Sequence, residues 1–245
     1  MTRYRKLLIF FLLAAALVSG GLAITDYMEK SAAEAKFQAL RERVAIPQRE
    51  AEEEPEQEET GYQAPQGLLD LMEENPSVIG WLRIEDTNID YPIVQDTQDN
   101  EWFLYRDVDG LESKPGSVFL DSNQDIHIGG MHAVYGHHMK NGTMFRDIYR
   151  FLEPEYMEEH QNITIWTDKR EIRLKPVYCY TGKEDRDYRR KLILRKKLEG
   201  FLLDRTGIPI STGNAFVLIT CSYRQRDGRC YLICIDELDF GGTGT

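Results

Sequence analysis

Hydrophobic positions along the chain fall into three regimes. Leu7 to Ile24 is an unbroken uncharged run of 18 residues, which as a helix at 1.5 Å per residue spans ~27 Å, near the hydrocarbon thickness of a bilayer. From Thr25 to Val44, Ala, Glu, Lys, Gln and Arg favour helix, but no sustained apolar stripe runs along it to hold it against a core. Beyond Gly67 the pattern becomes short apolar stretches punctuated by Gly, Pro, Asn and Asp. Leu68, Leu71 and Met72 lie at helical spacing and stop at Asn75-Pro76, giving one short helix. Strands are expected at Val78–Ile84, Ile89–Val94, Ser117–Leu120, His132–Gly136, Asn162–Trp166, Glu171–Thr181, Ala215–Cys221 and Cys230–Glu237. Two helices interrupt them, one on Phe145, Ile148, Phe151 and Leu152, the other on Leu194, Leu198, Phe201 and Leu202. A mainly β domain with added helices follows, a closed barrel or a sandwich.

Composition divides the 245 residues further. Seven of the ten residues from Glu50 to Glu59 are Glu, with Pro47, Pro55 and Pro65 nearby, a stretch that repels itself and buries nothing. The expected organisation is a transmembrane anchor at 1–24, a stalk and acidic linker at 25–66, and a folded domain at 67–245. Arg3, Arg5 and Lys6 precede the apolar run while Asp26 and Glu29 follow it, so the positive-inside rule places the N-terminus in the cytoplasm and the domain outside. A cleaved signal peptide is the alternative, since Gly21-Leu22-Ala23 offers small residues, but its apolar core is usually only ~7–15 residues. The net charge is -11, and residues 67–245 alone carry 22 basic and 30 acidic groups, a balance that argues against nucleic acid as partner. Four scattered cysteines make neither a disulfide scaffold nor a zinc ribbon.

Covalent chemistry needs a nucleophile, a proton carrier and a group that stabilises developing negative charge. Cys221 ends the apolar run Phe216–Ile219, His137 follows the strand-like Ala133-Val134-Tyr135 after a Gly, and Arg229 opens the last strand eight residues after Cys221. All three fall at strand ends. Each also has a plain structural reading: a small core residue, a hydrogen-bonding His, a solvated Arg. Cys179, Cys230 and Cys234 read as core. The spacing His127, His132, His137 and His138 invites a metal, but five-residue steps along a strand put successive His on opposite faces, and neither a metal nor a cofactor is expected.

Several segments together carry a resemblance: Asn75-Pro76-Ser77-Val78-Ile79-Gly80-Trp81, Thr87 through Gln95, Gly116 through Asp121, Tyr135-Gly136-His137-His138-Met139 and Thr220-Cys221-Ser222-Tyr223. Over residues 67–238 the chain resembles the class B sortases of Gram-positive bacteria. The resemblance implies an eight-stranded barrel with a helix inserted before the Cys-bearing strand, and a cysteine transpeptidase needing no cofactor. Cys221 would attack the carbonyl after the Thr of a C-terminal sorting signal to give a thioacyl enzyme. His137 would protonate the leaving amine and deprotonate the incoming one, with His138 the adjacent alternative. Arg229 would hold the substrate carbonyl or the oxyanion. Thr220 and Ser222 flank Cys221 in the sequence, which puts their backbone and hydroxyls within reach of a bound peptide. The acceptor would be an amine on a peptidoglycan precursor or a pilin subunit. The segment Asp125–Gly130 and the extra cysteines of the tail depart from the familiar pattern and bear on subclass alone.

Two readings compete, a cysteine peptidase that finishes with water and a non-catalytic wall-binding module. One geometric expectation follows. A two-residue turn centred on Asp227-Gly228 would put Cys221 opposite Cys234, with Arg229 ~13 Å along the strand; joint action needs a wider loop over about 224–228. The insertion from Gly182 to Ile210, with eight basic residues between Lys183 and Lys197, is expected to dock its apolar stripe beside the Cys221 strand and to present Arg189, Arg190 and Lys191 outward to the membrane or wall.

Overall fold

The computed structural model describes residues 3–46, 61–183, 195–207, 213–222 and 228–237, with only the backbone at 6, 195–197, 221 and 222. The eight expected strands form within a few residues of their expected bounds: β1 (Val78–Ile84), β2 (Asp90–Val94), β3 (Val118–Leu120), β4 (Met131–Tyr135), β5 (Ile163–Trp166), β6 (Glu171–Lys183), β7 (Ala215–Ser222) and β8 (Gly228–Asp236). They close in the order β1-β2-β3-β4-β7-β8-β6-β5. Closure decides for a barrel over a sandwich, because β5 returns to pair with β1, Trp81 opposite Trp166, and no strand edge is left bare. The β2/β3 and β4/β7 pairs are parallel and the rest antiparallel.

Burial explains the patterns in the sequence. Phe216 and Leu218 face the barrel interior with Trp81, Leu82, Val134 and Leu232. Ala215, Val217 and Ile219 face outward, where the inserted helix covers them with Leu198 and Leu202. Strand β7 is thus buried on both faces, which is why its apolar run does not alternate. That helix, Arg195–Thr206, docks as its stripe predicts; Leu194 and the basic Arg189, Arg190 and Lys191 lie outside the described residues. The Phe145–Leu152 helix is of the tighter 3-10 kind. Phe145, Ile148 and Phe151, all buried, recur every three residues, and three residues per turn put them on one side.

The N-terminal helix, α1 (Arg3–Val44), is continuous from the apolar run onward. Where the sequence offers no sustained stripe, its last turns still find the barrel. Phe37 (2% exposed) meets Tyr91 edge-on at 5.0 Å, and Val44 and Ile46 join the interior cluster. Arg41 donates through Nε to the Asp90 carbonyl at 2.8 Å. A short stripe at helical spacing, Phe37, Leu40 and Val44, holds these turns with a few polar ties, the Phe37 ring alone contributing about 1.5–3 kcal/mol by burial. A second helix, α2 (Gln66–Glu74), buries Leu68 and Leu71 as expected.

Candidate active site

The parallel β4/β7 pair aligns the two residues the sequence singles out. Tyr135 pairs with Ile219, and the Gly136 N–H extends the ladder to the Ile219 carbonyl at 3.1 Å. His137 and Cys221 each stand two residues beyond that pair, at the C-terminal ends of neighbouring strands. On the other side of β7, Cys221 pairs with Arg229 and Ser222 with Gly228. His137, Cys221 and Arg229 therefore occupy one row across three adjacent strands with Cys221 in the middle, strands lying about 4.8 Å apart. Position 221 shares its face with Val217 and Ile219, the outer face beneath the inserted helix. The register leaves five residues, 223–227, to connect the strands, wider than a two-residue turn as joint action requires; their own structure lies outside the described residues.

Local sequence fixes His137. A side chain at Gly136 would put its Cβ 2.6 Å from the Phe145 ring, so only glycine lets that ring press on the backbone just before the histidine. The Phe145 N–H then closes onto the His137 carbonyl at 2.8 Å. His137 Nε2 lies 2.7 Å from the Leu104 carbonyl. A carbonyl only accepts, so Nε2 carries the proton, and Nδ1 is left for proton exchange. Burial lowers the His137 pKa, the Leu104 carbonyl pulls it partly back, and the Arg229 charge adds to the lowering. The imidazole is therefore held neutral at pH 7.

The Leu104 carbonyl is itself positioned. It sits in a 3-10 turn, Trp102–Tyr105, against Gly116, whose φ is +60° and whose Cβ, were there one, would come within 2.2 Å of the Leu104 oxygen. Neither residue was singled out for the site from sequence. Gly116 opens one of the recognised segments, but nothing in a sequence marks a backbone carbonyl as an acceptor. Tyr105, whose ring centroid is 5.2 Å from that of His137, has no mark in the sequence either, since the two rings meet only once their separate segments fold together.

The cleft in front of this row is lined by Asn100, Glu101, Leu104, Phe119, Tyr135, His137, Thr220 and Arg229 among others. Arg229 Nη1 donates to the Gly228 carbonyl at 3.1 Å. Thr220 borders the cleft, but its hydroxyl is buried and has no hydrogen-bond partner among the described residues; for Ser222 only the backbone is described. His138 turns away, its ring edge-on to Tyr149 at 5.8 Å. His127 pairs with Asp168 at 3.2 Å, and His132 is buried at the opposite end of β4. Cys179, Cys230 and Cys234 are free thiols packed in the interior. Burial alone pushes up the pKa of Cys234, and contact with Cys230 followed by burial raises that of Cys179.

Against known proteins, the sortase domain model matches residues 82–234. The chain belongs to the sortase family. Members of that family are cysteine transpeptidases. Sortase B of Listeria monocytogenes is 37% identical over 94 residues, 38% of this chain and 38% of that protein. Sortase B of Staphylococcus aureus is 22% identical over 164 residues, 66% of this chain and 63% of that protein. The chain thus spans less than two thirds of the length of these relatives. Among solved structures, sortase B from Bacillus anthracis in complex with AAEK1 superposes with a TM-score of 0.67 at 22% identity, covering 86% of this chain and 100% of the other. A Staphylococcus aureus sortase B–substrate complex does so with a TM-score of 0.67 at 20% identity, covering 86% and 99%. The expected sortase B fold, barrel and inserted helix included, is therefore the observed one.

Proposed function

We propose that the chain is a membrane-anchored cysteine transpeptidase. On this reading it cleaves the C-terminal sorting signal of surface proteins after a Thr and passes the acyl group to an amine of the cell wall or of a pilin. The observation that carries this reading is the single row of His137, Cys221 and Arg229 on three adjacent strands. The other three cysteines pack in the interior, and Cys221 is the one whose backbone position falls in this row. The neutral His137 takes the Cys221 thiol proton at Nδ1 as the sulfur adds to the scissile carbonyl, and the Arg229 guanidinium, a permanently charged planar donor, holds the carbonyl oxygen. His137 gives a proton from Nδ1 to the departing amine, the C–N bond breaks and a thioester remains. The neutral His137 then takes the proton of the incoming amine as the new amide forms and the thiol leaves. Thr220 and Ser222 would meet the peptide through backbone groups.

In its membrane topology, the apolar part of α1 crosses once, with the N-terminus cytoplasmic and the barrel outside. The helix is long and apolar enough to span, and the basic residues before it set the direction. The end of α1 from Phe37 onward packs on the barrel, so the tether between membrane and barrel would be the part of the helix before it.

Cys221→Ala tests the chemistry. Mass spectrometry after incubation with a sorting-signal peptide is expected to find a thioacyl adduct on the parent protein and none on the variant, with unchanged far-UV circular dichroism. An adduct that persists would move the nucleophile to another cysteine. Adding oligoglycine to the parent should convert hydrolysed product into ligated product; water as sole acceptor would make the protein a peptidase.

A further inference from the structure

We infer that the Glu101 carboxylate binds the cationic amine of the acceptor at the His137 flank of the cleft. This rests on the transferase reading above and adds to it the residue that receives the second substrate. Three carboxylates fall within residues 96–101. Two of them cap the backbone: Asp96 Oδ1 accepts the Gln98 and Asp99 N–H groups at 2.8 Å each, and Asp99 Oδ1 accepts the Glu101 N–H at 2.9 Å. That cap and the Leu104 N–H, which reaches the Glu101 carbonyl at 3.0 Å, fix the Glu101 backbone from both sides. Its exposed carboxylate has neither a hydrogen bond nor an ion pair among the described residues. Among the described residues that line the cleft, Glu101 is the one carboxylate and Arg229 the one permanent cation. Leu104, tied to Glu101 through its N–H, takes His137 Nε2 on its carbonyl at 2.7 Å, so the anion stands on the His137 side. Arg229 stands across Cys221 from it.

This polarity suits a transfer between two substrates of unlike charge. A primary amine reaches the cleft as an ammonium, because it holds its proton at pH 7, and Arg229 repels it. A carboxylate on the other flank draws the cation away from Arg229 and toward the base. Opposite charges on the two flanks thus sort the reactants: the acyl oxygen, which becomes negative, goes to Arg229 and the ammonium to Glu101. As the amine moves from the carboxylate to the thioester, its extra proton leaves to water. The nitrogen then bonds to the acyl carbon, the C–S bond breaks, and the second proton passes through His137 to the Cys221 sulfur.

A partition experiment on the full chain in detergent tests this. The thioacyl enzyme made from a sorting-signal peptide is offered triglycine amide, a cation at pH 7, together with hydroxylamine, which is uncharged there. The ratio of ligated peptide to hydroxamate reads the preference for a charged acceptor. Glu101→Gln is expected to lower that ratio by about 2- to 5-fold, the size of an exposed ion pair, and Glu101→Lys to lower it further. Added salt should bring the parent ratio down toward that of Glu101→Gln and leave the variant's own ratio in place. A ratio that Glu101→Gln does not change would overturn the inference, as would a fall that salt does not erase, which would mark a displaced His137 instead of a lost charge. A higher KM for the sorting-signal peptide with the ratio unchanged would put the carboxylate against the donor peptide and overturn it too. A parent protein that forms hydroxamate but never ligates triglycine amide would remove the transferase reading itself, and the inference with it.

Discussion

Two histidines flank the same pair of parallel strands, His132 near the start of β4 and His137 just past its end. Burial, as the first cause, lowers the pKa of both. In both, Nε2 faces an oxygen that only accepts: Asn214 Oδ1 at 3.1 Å for His132 and the Leu104 carbonyl at 2.7 Å for His137. What differs is the ground behind them. The Asn214 amide is fixed by donating to Asp236 Oδ2 at 3.0 Å, Asp236 takes Arg170 at 3.3 Å, and the His132 ring, 3% exposed, lies tilted against Phe216 with centroids 4.6 Å apart. That network leaves no room for a reactant. His137 instead borders a cleft with Arg229 and stands level with Cys221. A shifted pKa is common to both; only access to a cleft and to a nucleophile separates the chemical histidine from the structural one.

The sharpest way to break this comparison is to delete each ring. His137→Ala is expected to lower kcat/KM for transfer by ~10²–10⁴-fold and to change unfolding free energy by about 1 kcal/mol or less. His132→Ala should do the opposite, costing about 2–4 kcal/mol through a cavity and a stranded Asn214 carbonyl oxygen with little change in kcat/KM of the folded fraction. Urea titrations alongside a transfer assay read both axes. Equal losses on both axes for the two variants would erase the distinction.

Gly116→Ala sharpens it by touching His137 only through Leu104. The substitution forces a Cβ into a left-handed backbone and to 2.2 Å from the Leu104 oxygen, so the carbonyl must move. Expected are a stability loss of about 1–3 kcal/mol from the backbone and a ~10- to 100-fold drop in kcat/KM from a misplaced imidazole. Gly110→Ala, also left-handed at φ +79° but with its nearest atom 4.0 Å away, should show the strain without the rate loss. A rate unchanged in Gly116→Ala would mean that the Leu104 bond does not position His137.

The sequence exposes elements whose signal is local and hides those that depend on what a distant segment covers. Strand β1 is found with its bounds intact because its period and its stops at Asn75-Pro76 and Asp86 are local. The row of His137, Cys221 and Arg229 is readable because each lies at a strand end. Its register is not, since only the β4/β7 and β7/β8 ladders fix who stands opposite whom. Closure through Trp81 and Trp166 joins residues 85 apart in sequence and has no local mark. The docking of α1 is hard to see too, because its stripe of Phe37, Leu40 and Val44 is confined to the last turns of a 42-residue helix. The structural end of the comparison was the less visible one: Asn214 and Asp236 meet His132 only once β4, β7 and β8 are side by side.

Acid should weaken the His132 end first. An unfolded His titrates near 6.5, and the folded pKa lies below it. Above pH 6.5 both states are neutral and the shift costs nothing. As pH falls through that value the unfolded chain takes the proton first, and stability declines until the folded pKa is passed. His137, lowered likewise, contributes in the same direction. Stability measured by urea titration is expected to decline between pH 7 and pH 5, with a shallower slope in His132→Gln. A slope unaltered by that substitution would assign the acid sensitivity elsewhere.

The smallest effect distinguishes the two jobs of Arg229. Its charge is the last and least of the causes acting on His137, after burial and the Leu104 bond. Removing it in Arg229→Met should therefore raise the His137 midpoint only modestly and leave it below the ordinary value, because burial still dominates. His132, at the far end of β4, should not move and serves as the internal control in an NMR titration of the five histidines. Arg229→Lys keeps a positive charge but loses the planar fork. In that variant the His137 midpoint should stay near its parent value while transfer still falls sharply, since a compact ammonium does not hold a carbonyl oxygen as the guanidinium does. If Lys restores both the midpoint and the rate, Arg229 acts only as a charge beside His137 and not as a ligand of the reacting oxygen.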